Sequence, residues 1–261
     1  MHAALWVSKT GLTAQDKQLT TISNNLANAA TVGFKRDRVV FEDLLYQVQR
    51  QPGAQSSQNT QLPSGLQLGT GVRVVSTQKQ FSSGSLQVTD QPLDMAIDGR
   101  GFYEILLPDG NIAYTRNGEF HLSADGEIVN GDGLLLQPAI TIPQSTLSVT
   151  IGRDGTVSAL VSGNSSPTQV GSIQLTDFVN PAGLQAIGSN LFLETASSGS
   201  AQQGTPGTNG FGSIEQGSVE NSNVNIVEEL VNMITTQRTY EMNSKVIQTA
   251  DQMLQFVSQN I

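Results

Sequence analysis

A chain of 261 residues with 13 Lys and Arg against 22 Asp and Glu carries a formal charge of -9 and a pI near 4.6. The lack of a cluster of basic residues to displace counterions from phosphates argues against nucleic-acid binding. No stretch approaches the roughly 20 apolar residues of a membrane span, and the absence of cysteine removes disulfides, thiolate nucleophiles and Cys-ligated metals.

The chain starts with a helical pattern. Leu5, Leu12, Leu19 and Leu26 recur every seven residues, with Ser8, Gln15, Ile22 and Ala29 in the seam positions between them. The pattern predicts a helix from Ala3 to Ala29, about 40 Å long, interrupted by Gly11 and stopped by Gly33. Its apolar run Ala3 to Val7 is too short for the core of a cleaved secretory signal, and no basic segment precedes it.

Residues 51–70 contain Gln, Ser, Gly and Pro and no charge, which predicts an extended loop or insertion with little core of its own. From Gly84 onward, short alternating runs are punctuated by Asp109-Gly110, Asn117-Gly118, Asp125-Gly126, Asp132-Gly133 and Asp154-Gly155. That spacing predicts an antiparallel meander. A Gly/Ser/Thr-rich return, Ala196 to Gly212, leads to the last segment. There Ile226, Met233, Tyr240, Ile247 and Leu254 again recur every seven residues, and Asn225 followed by Glu228 reads as a capped helix start.

The expected fold is therefore a mainly β central domain with long N- and C-terminal helices pairing as a coiled coil, elongated and built from discontinuous domains. Residues 1–35 and 222–261 form the helical domain, 36–90 and 196–221 an extended linking domain, and 91–195 the β-domain. Narrow apolar stripes do not stabilise isolated helices, so the two columns are expected to pair with each other and with neighbouring copies.

Reactive chemistry is sparse. His2 and His121 stand far apart without a carboxylate cluster, and no G-x-S-x-G elbow is present. Asp98-Gly99-Arg100-Gly101-Phe102 lacks the third glycine of a dinucleotide loop and reads as a tight turn before a strand. Asn130-Gly131-Asp132-Gly133 reads as a hairpin turn. No cofactor or metal is expected. The alternative from another class is a periplasmic cell-wall hydrolase drawing a carboxylate pair from Asp98, Glu104, Glu119 and Glu127.

Three separated blocks carry a family pattern. Asn24-Asn25-Leu26-Ala27-Asn28, Thr31 and Gly33-Phe34-Lys35-Arg36 form the first. Asp94 to Phe102 with Tyr114 to Phe120 form the second, and Ser222 to Asn225 with Glu229 through Leu254 the third. In this order they resemble the bacterial flagellar rod and hook proteins. Residues 46–67, including Tyr46, Gln51, Pro52, Gly53, Ala54, Gln55, Ser56, Ser57, Leu62, Pro63, Ser64 and Gly65, resemble the insertion of the family's distal-rod branch. The chain is shorter than hook members usually are.

The resemblance implies a non-enzymatic structural subunit of the distal rod, in the basal body where the rod spans the periplasm. Such a subunit self-assembles into a straight, rigid, hollow shaft that transmits torque to the hook. The implied partners are further copies in a helical polymer, proximal rod proteins, the hook protein, the P- and L-ring proteins and the flagellar type III export apparatus. The insertion is implied to supply rigidity, and the terminal columns to form an inner coiled-coil layer. Another rod or hook subunit is the near alternative.

Overall fold

The computed structural model describes residues 3–53, 55–57, 60, 61, 63–163 and 166–259. The chain is mainly β, with helix α1 at Ala3–Ala27 and helix α2 at Ile226–Gln259. It forms two compact units. One comprises Met1–Ala27, Asp37–Gln78 and Asn225–Ile261, the other Asn28–Arg36 and Lys79–Val224. Residues 37–78 thus group with the helices, and 28–36 with the β-rich part.

Helix α1 ends at Ala27, where the chain turns and the Thr31 N–H donates to the Asn28 carbonyl at 3.1 Å. Helix α2 is capped as its sequence suggests. The Asn225 side-chain oxygen accepts from the Val227 and Glu228 N–H groups at 3.1 and 3.4 Å. Glu228 and Glu229 place negative charge at the positive end of the helix dipole.

The described residues of 51–70, expected as an extended loop or insertion with little core of its own, lie in a ribbon of nested antiparallel pairs. Asp37–Asp43 lies beside Val72–Lys79, Tyr46–Arg50 beside Leu66–Gly69, and Gln55–Ser57 beside Thr60–Gln61. Both strands of the middle pair are exposed throughout, so the ribbon has no core of its own. The missing apolar alternation is what hid it. Gly65 is required there, because an added Cβ would lie 2.5 Å from the Arg50 carbonyl oxygen and 2.6 Å from the Pro52 ring.

In the second unit, seven strands form an antiparallel sheet among the described residues. Their spatial order is Phe120–Leu122, Ile128–Asn130, Leu135–Gln137, Tyr103–Leu106, Ile112–Thr115, Leu191–Leu193 and Gln185–Gly188. Four of the five predicted turn pairs make hairpins of one construction. In each, the N–H of the turn glycine, Gly110, Gly126, Gly133 or Gly155, donates to the carbonyl three residues back at 2.9–3.0 Å. Each of these glycines has φ near +80°, which closes a type I turn with a bulge.

Asn117-Gly118 is the exception. Its flanking strands are not neighbours, since Ile128–Asn130, Leu135–Gln137 and Tyr103–Leu106 lie between them. Gly118 accepts from the Met95 N–H at 2.9 Å, and an added Cβ would overlap the Met95 carbonyl oxygen. Here the glycine serves close backbone approach rather than a hairpin.

Strand Tyr103–Leu106 is buried on both faces from Tyr103 to Ile105. Tyr103 and Ile105 enter the larger core with Met95, Ile97, Phe120, Ile128 and Leu136. Tyr103 and Phe120 meet edge to face at 5.2 Å. Phe102 lies in a second cluster with Tyr114, Phe178, Leu184 and Phe192. Each large side chain so buried stabilises the unit by about 1.5–3 kcal/mol. Glu104 is buried as well, and its carboxylate accepts from the Thr176 hydroxyl and from the Gln203 amide at 2.8 Å. Burial, with Glu104 and Glu194 nearby, pushes the Tyr114 hydroxyl up to about 12.

Candidate assembly surfaces

The two helices pack against each other within the first unit. The Asn25 amide nitrogen lies 3.5 Å from a Glu229 carboxylate oxygen, and an added Cβ on Gly11 would lie 3.1 Å from the Asn243 amide. Fourteen residues separate the contacts on each helix, 11 to 25 and 229 to 243, in opposite directions. The pair is therefore antiparallel.

The most deeply buried residues of the two helices include polar ones that lie beside the apolar columns. On α2 they are Glu229, Thr236 and Ala250, with Asn243 half-buried in the same seven-residue column. On α1 they are Ser8, Ala14, Ile22 and Asn25. The leucine column Leu5, Leu12, Leu19 and Leu26 is half-buried. In the second column Met233, Ile247 and Leu254 are half-buried, while Ile226 and Tyr240 are exposed. Val227, Leu230, Val231 and Ile234 are 70%, 43%, 54% and 51% exposed. At about 100° per residue they lie roughly 100–200° round the helix from Glu229, so α2 presents an apolar face away from α1.

The family motif straddles the two units. In the first, Asn24 and Ala27 are exposed, Leu26 is half-buried and Asn25 is buried. The Asn25 amide bonds both the N–H and the carbonyl of Asp37 at 2.9 Å, as a neighbouring strand would. In the second, Asn28 is half-buried, and Gly33 and Phe34 are buried. Gly33 has φ +71°, and a Cβ would lie 2.7 Å from the Asn117 nitrogen, so only glycine fits. The Lys79 ammonium sits 5.1 Å over the Phe34 ring.

Beside Gly33 lies a buried ion network that sequence reasoning missed. Glu220 Oε1 accepts from Lys35 Nζ at 2.7 Å and from the Gly84 N–H at 2.8 Å. Glu220 Oε2 accepts from Arg116 Nε at 2.9 Å. The same guanidinium donates to the carbonyls of Gly99 and Gly101 at 2.9 and 2.7 Å, holding the turn before strand Tyr103–Leu106. The three side chains are 0–4% exposed. Burial first, then the Arg116 charge, pulls the Lys35 ammonium below its usual basic range, against the opposing pull of Glu220. Lys35 and Arg116 both stand in motif blocks, but nothing in the sequence joins them to Glu220.

Of the insertion, Tyr46, Gln51, Pro52, Gly53, Pro63 and Ser64 are exposed and Gly65 is half-buried. Gln55, Ser56 and Ser57 form a strand, while Ala54 and Leu62 lie outside the described residues. Leu45, at the foot of this ribbon, is 89% exposed.

His121 is exposed, and His2 lies outside the described residues. Of the carboxylates weighed for hydrolysis, Asp98 and Glu119 are exposed, Glu127 is half-buried, and Glu104 is engaged by Thr176 and Gln203. Among the described residues no three His, Asp or Glu gather as metal ligands, and no helix is long and apolar enough to cross a membrane.

Three family models match the chain. They are the flagellar hook protein FlgE/F/G D1 domain over residues 96–159, the flagellar basal body rod FlgEFG protein C-terminal region over 215–260, and the flagella basal body rod protein over 5–35. The flagellar basal-body rod protein FlgG of Buchnera aphidicola subsp. Schizaphis graminum is 56% identical, covering 99% of this chain and 100% of its own. The Caulobacter vibrioides protein of that name is 51% identical over 98% of both chains, and that of Bacillus subtilis is 37% identical over 98% of this chain and 97% of its own. With full-length identity at this level and the family models at both ends and the centre, the chain belongs to the flagellar basal-body rod protein family and is a structural subunit of the flagellar rod.

Proposed function

We propose that the chain builds the distal part of the rod by self-assembly and acts without catalysis as a straight, stiff, hollow shaft carrying torque to the hook. The observation that carries this reading is the apolar face of α2 from Val227 to Ile234, turned away from α1. Exposed apolar faces of this kind mark surfaces that another protein covers. If one copy offers this face to a different surface of the next, the contact is heterologous, and where its rotation closes no ring it repeats into a helical polymer.

In this reading the helices pack as a coiled-coil layer in the polymer, with Leu5, Leu12, Leu19 and Leu26 and the column from Ile226 to Leu254 shared among copies. The working parts are the helical ends, 1–35 and 222–261, the linking region, 36–90 and 196–221, and the β-region, 91–195. Proximal rod proteins would meet one end of the polymer, the hook protein the other, and the P- and L-rings its outside, after delivery by the flagellar type III export apparatus.

The ribbon would supply the stiffness. Its segment 51–70 is uncharged in a chain of charge -9, so copies can approach there without like-charge repulsion. Removing residues 46–67 should leave a polymer that forms but bends, visible as curved rods by electron microscopy. Straight rods of unchanged stiffness would contradict the role given to the ribbon.

A further inference from the structure

The seam between α1 and α2 poses a physical question. Helix α2 carries two apolar faces, one with Met233, Ile247 and Leu254 beside the polar column, the other from Val227 to Ile234. Apolar burial alone would turn the second face onto α1. Instead Glu229 and Asn243 lie against α1, at Asn25 and Gly11, and Thr236 is buried in the same column. Groups of this kind are costly to desolvate unless their bonds are made.

One hydrogen bond, from Asn25 to Glu229, and one close approach, of Asn243 to Gly11, are specific to one rotation of the helices, while the Thr236 hydroxyl bonds the Asn232 carbonyl of its own helix. Asn25 is fixed by its two bonds to Asp37, one of which uses one Nδ2 hydrogen and leaves the other toward Glu229 at 3.5 Å. Gly11, lacking a side chain, makes room for the Asn243 amide one half-seam away. Rotating α2 to bury Val231 and Ile234 would carry Glu229 and Asn243 out of both contacts.

We propose that Asn25, Glu229 and Asn243 form a phase key. They determine which face of α2 lies on α1 and thereby keep Val227, Leu230, Val231 and Ile234 outward for a second copy of the chain. Buried polar residues that fix register at some expense of stability are the best-attested use of such groups in paired helices. The purpose given to the outward face rests on the assembly reading above, while the key is a property of one chain.

The chain contains no cysteine, so introduced pairs report helix phase cleanly. Positions 18 and 236 lie midway between the two seam contacts, whereas Ile234 lies at nearly the same height on the outer face. A disulfide requires Cα atoms within about 7 Å. The full-length chain, kept dilute and monomeric and oxidised with copper phenanthroline, should bridge as Gln18→Cys/Thr236→Cys and not as Gln18→Cys/Ile234→Cys. Adding Glu229→Ala and Asn243→Ala should raise the second pair to at least the yield of the first. Glu229→Gln, which keeps a polar partner for Asn25, should retain the original pattern.

A thermal melt of each variant confirms that the β-rich unit is intact. If the double alanine variant melts early, Asn243→Ala alone takes its place with the same expectation. The proposal is overturned if the keyless chain still bridges only through 18 and 236, if both pairs bridge equally with the key intact, or if neither does. None of these readings depends on whether the chain polymerises, so a failure of the assembly reading would appear elsewhere.

Discussion

Replacing Glu220 with alanine lowers the melting temperature of the β-rich unit by about 6–20 °C, from a loss of about 3–5 kcal/mol. The reason is the pair of cations left behind. Lys35 and Arg116 reach Glu220 in an interior that is 0–4% exposed, and deleting the carboxylate strands both there. Lys35 can shed its proton, but a guanidinium does not. The lost carboxylate also leaves the Gly84 N–H without its partner. The comparison is Arg153→Ala in the same unit, which breaks an ion pair to Glu215 whose arginine is 79% exposed. Exposed pairs contribute about 0–1 kcal/mol, so that variant should melt within a few degrees of the parent. Circular dichroism at 218 nm on both variants checks the contrast. Equal melting temperatures would mean that the network does not hold the unit together.

The second large effect concerns assembly. Val231→Asp with Ile234→Asp places two carboxylates on the outward face of α2, where both native side chains are about half exposed in the single chain. The folded chain should tolerate them, with an unchanged melt of the β-rich unit. In the polymer each position would lose about 1 kcal/mol or more of apolar burial and gain the several kcal/mol cost of covering a carboxylate. At about 1.4 kcal/mol per tenfold, the critical concentration should rise at least about 100-fold. Sedimentation of purified chain across a concentration series measures it. Normal polymerisation of the double variant would show that this face is not the contact.

Much of the architecture could be read in advance where a local rule decides it. The Asp-Gly pairs at 109, 125, 132 and 154 announced their hairpins because a left-handed glycine is what that turn needs. Asn117-Gly118 carried a similar turn pair for another purpose, close approach of Gly118 to Met95, which lies 23 residues away in the chain and leaves no local trace. The middle pair of the ribbon, Tyr46–Arg50 with Leu66–Gly69, escaped notice because strands exposed on both faces need no apolar alternation.

The helices were legible as heptads, and the Asn225 cap as a cap. The polar residues buried beside the columns were not, because Asn25 meets Glu229 across 204 residues. Hydrophobic columns mark where apolar groups lie, and do not say whether a neighbour in the same chain or in another copy covers them. The ion network followed the same logic, with Arg116 and Glu220 104 residues apart and Lys35 and Glu220 185 apart. A chain with only 13% charged residues offers few candidates for such a cluster, yet its pairing emerges only from the fold.

The central claim is that this subunit builds the distal rod. Electron microscopy of basal bodies from the host carrying an in-frame deletion of the chain tests it most directly. The account predicts that the distal rod and hook are missing while the proximal structure remains. Intact rods and hooks in the deletion strain would contradict it.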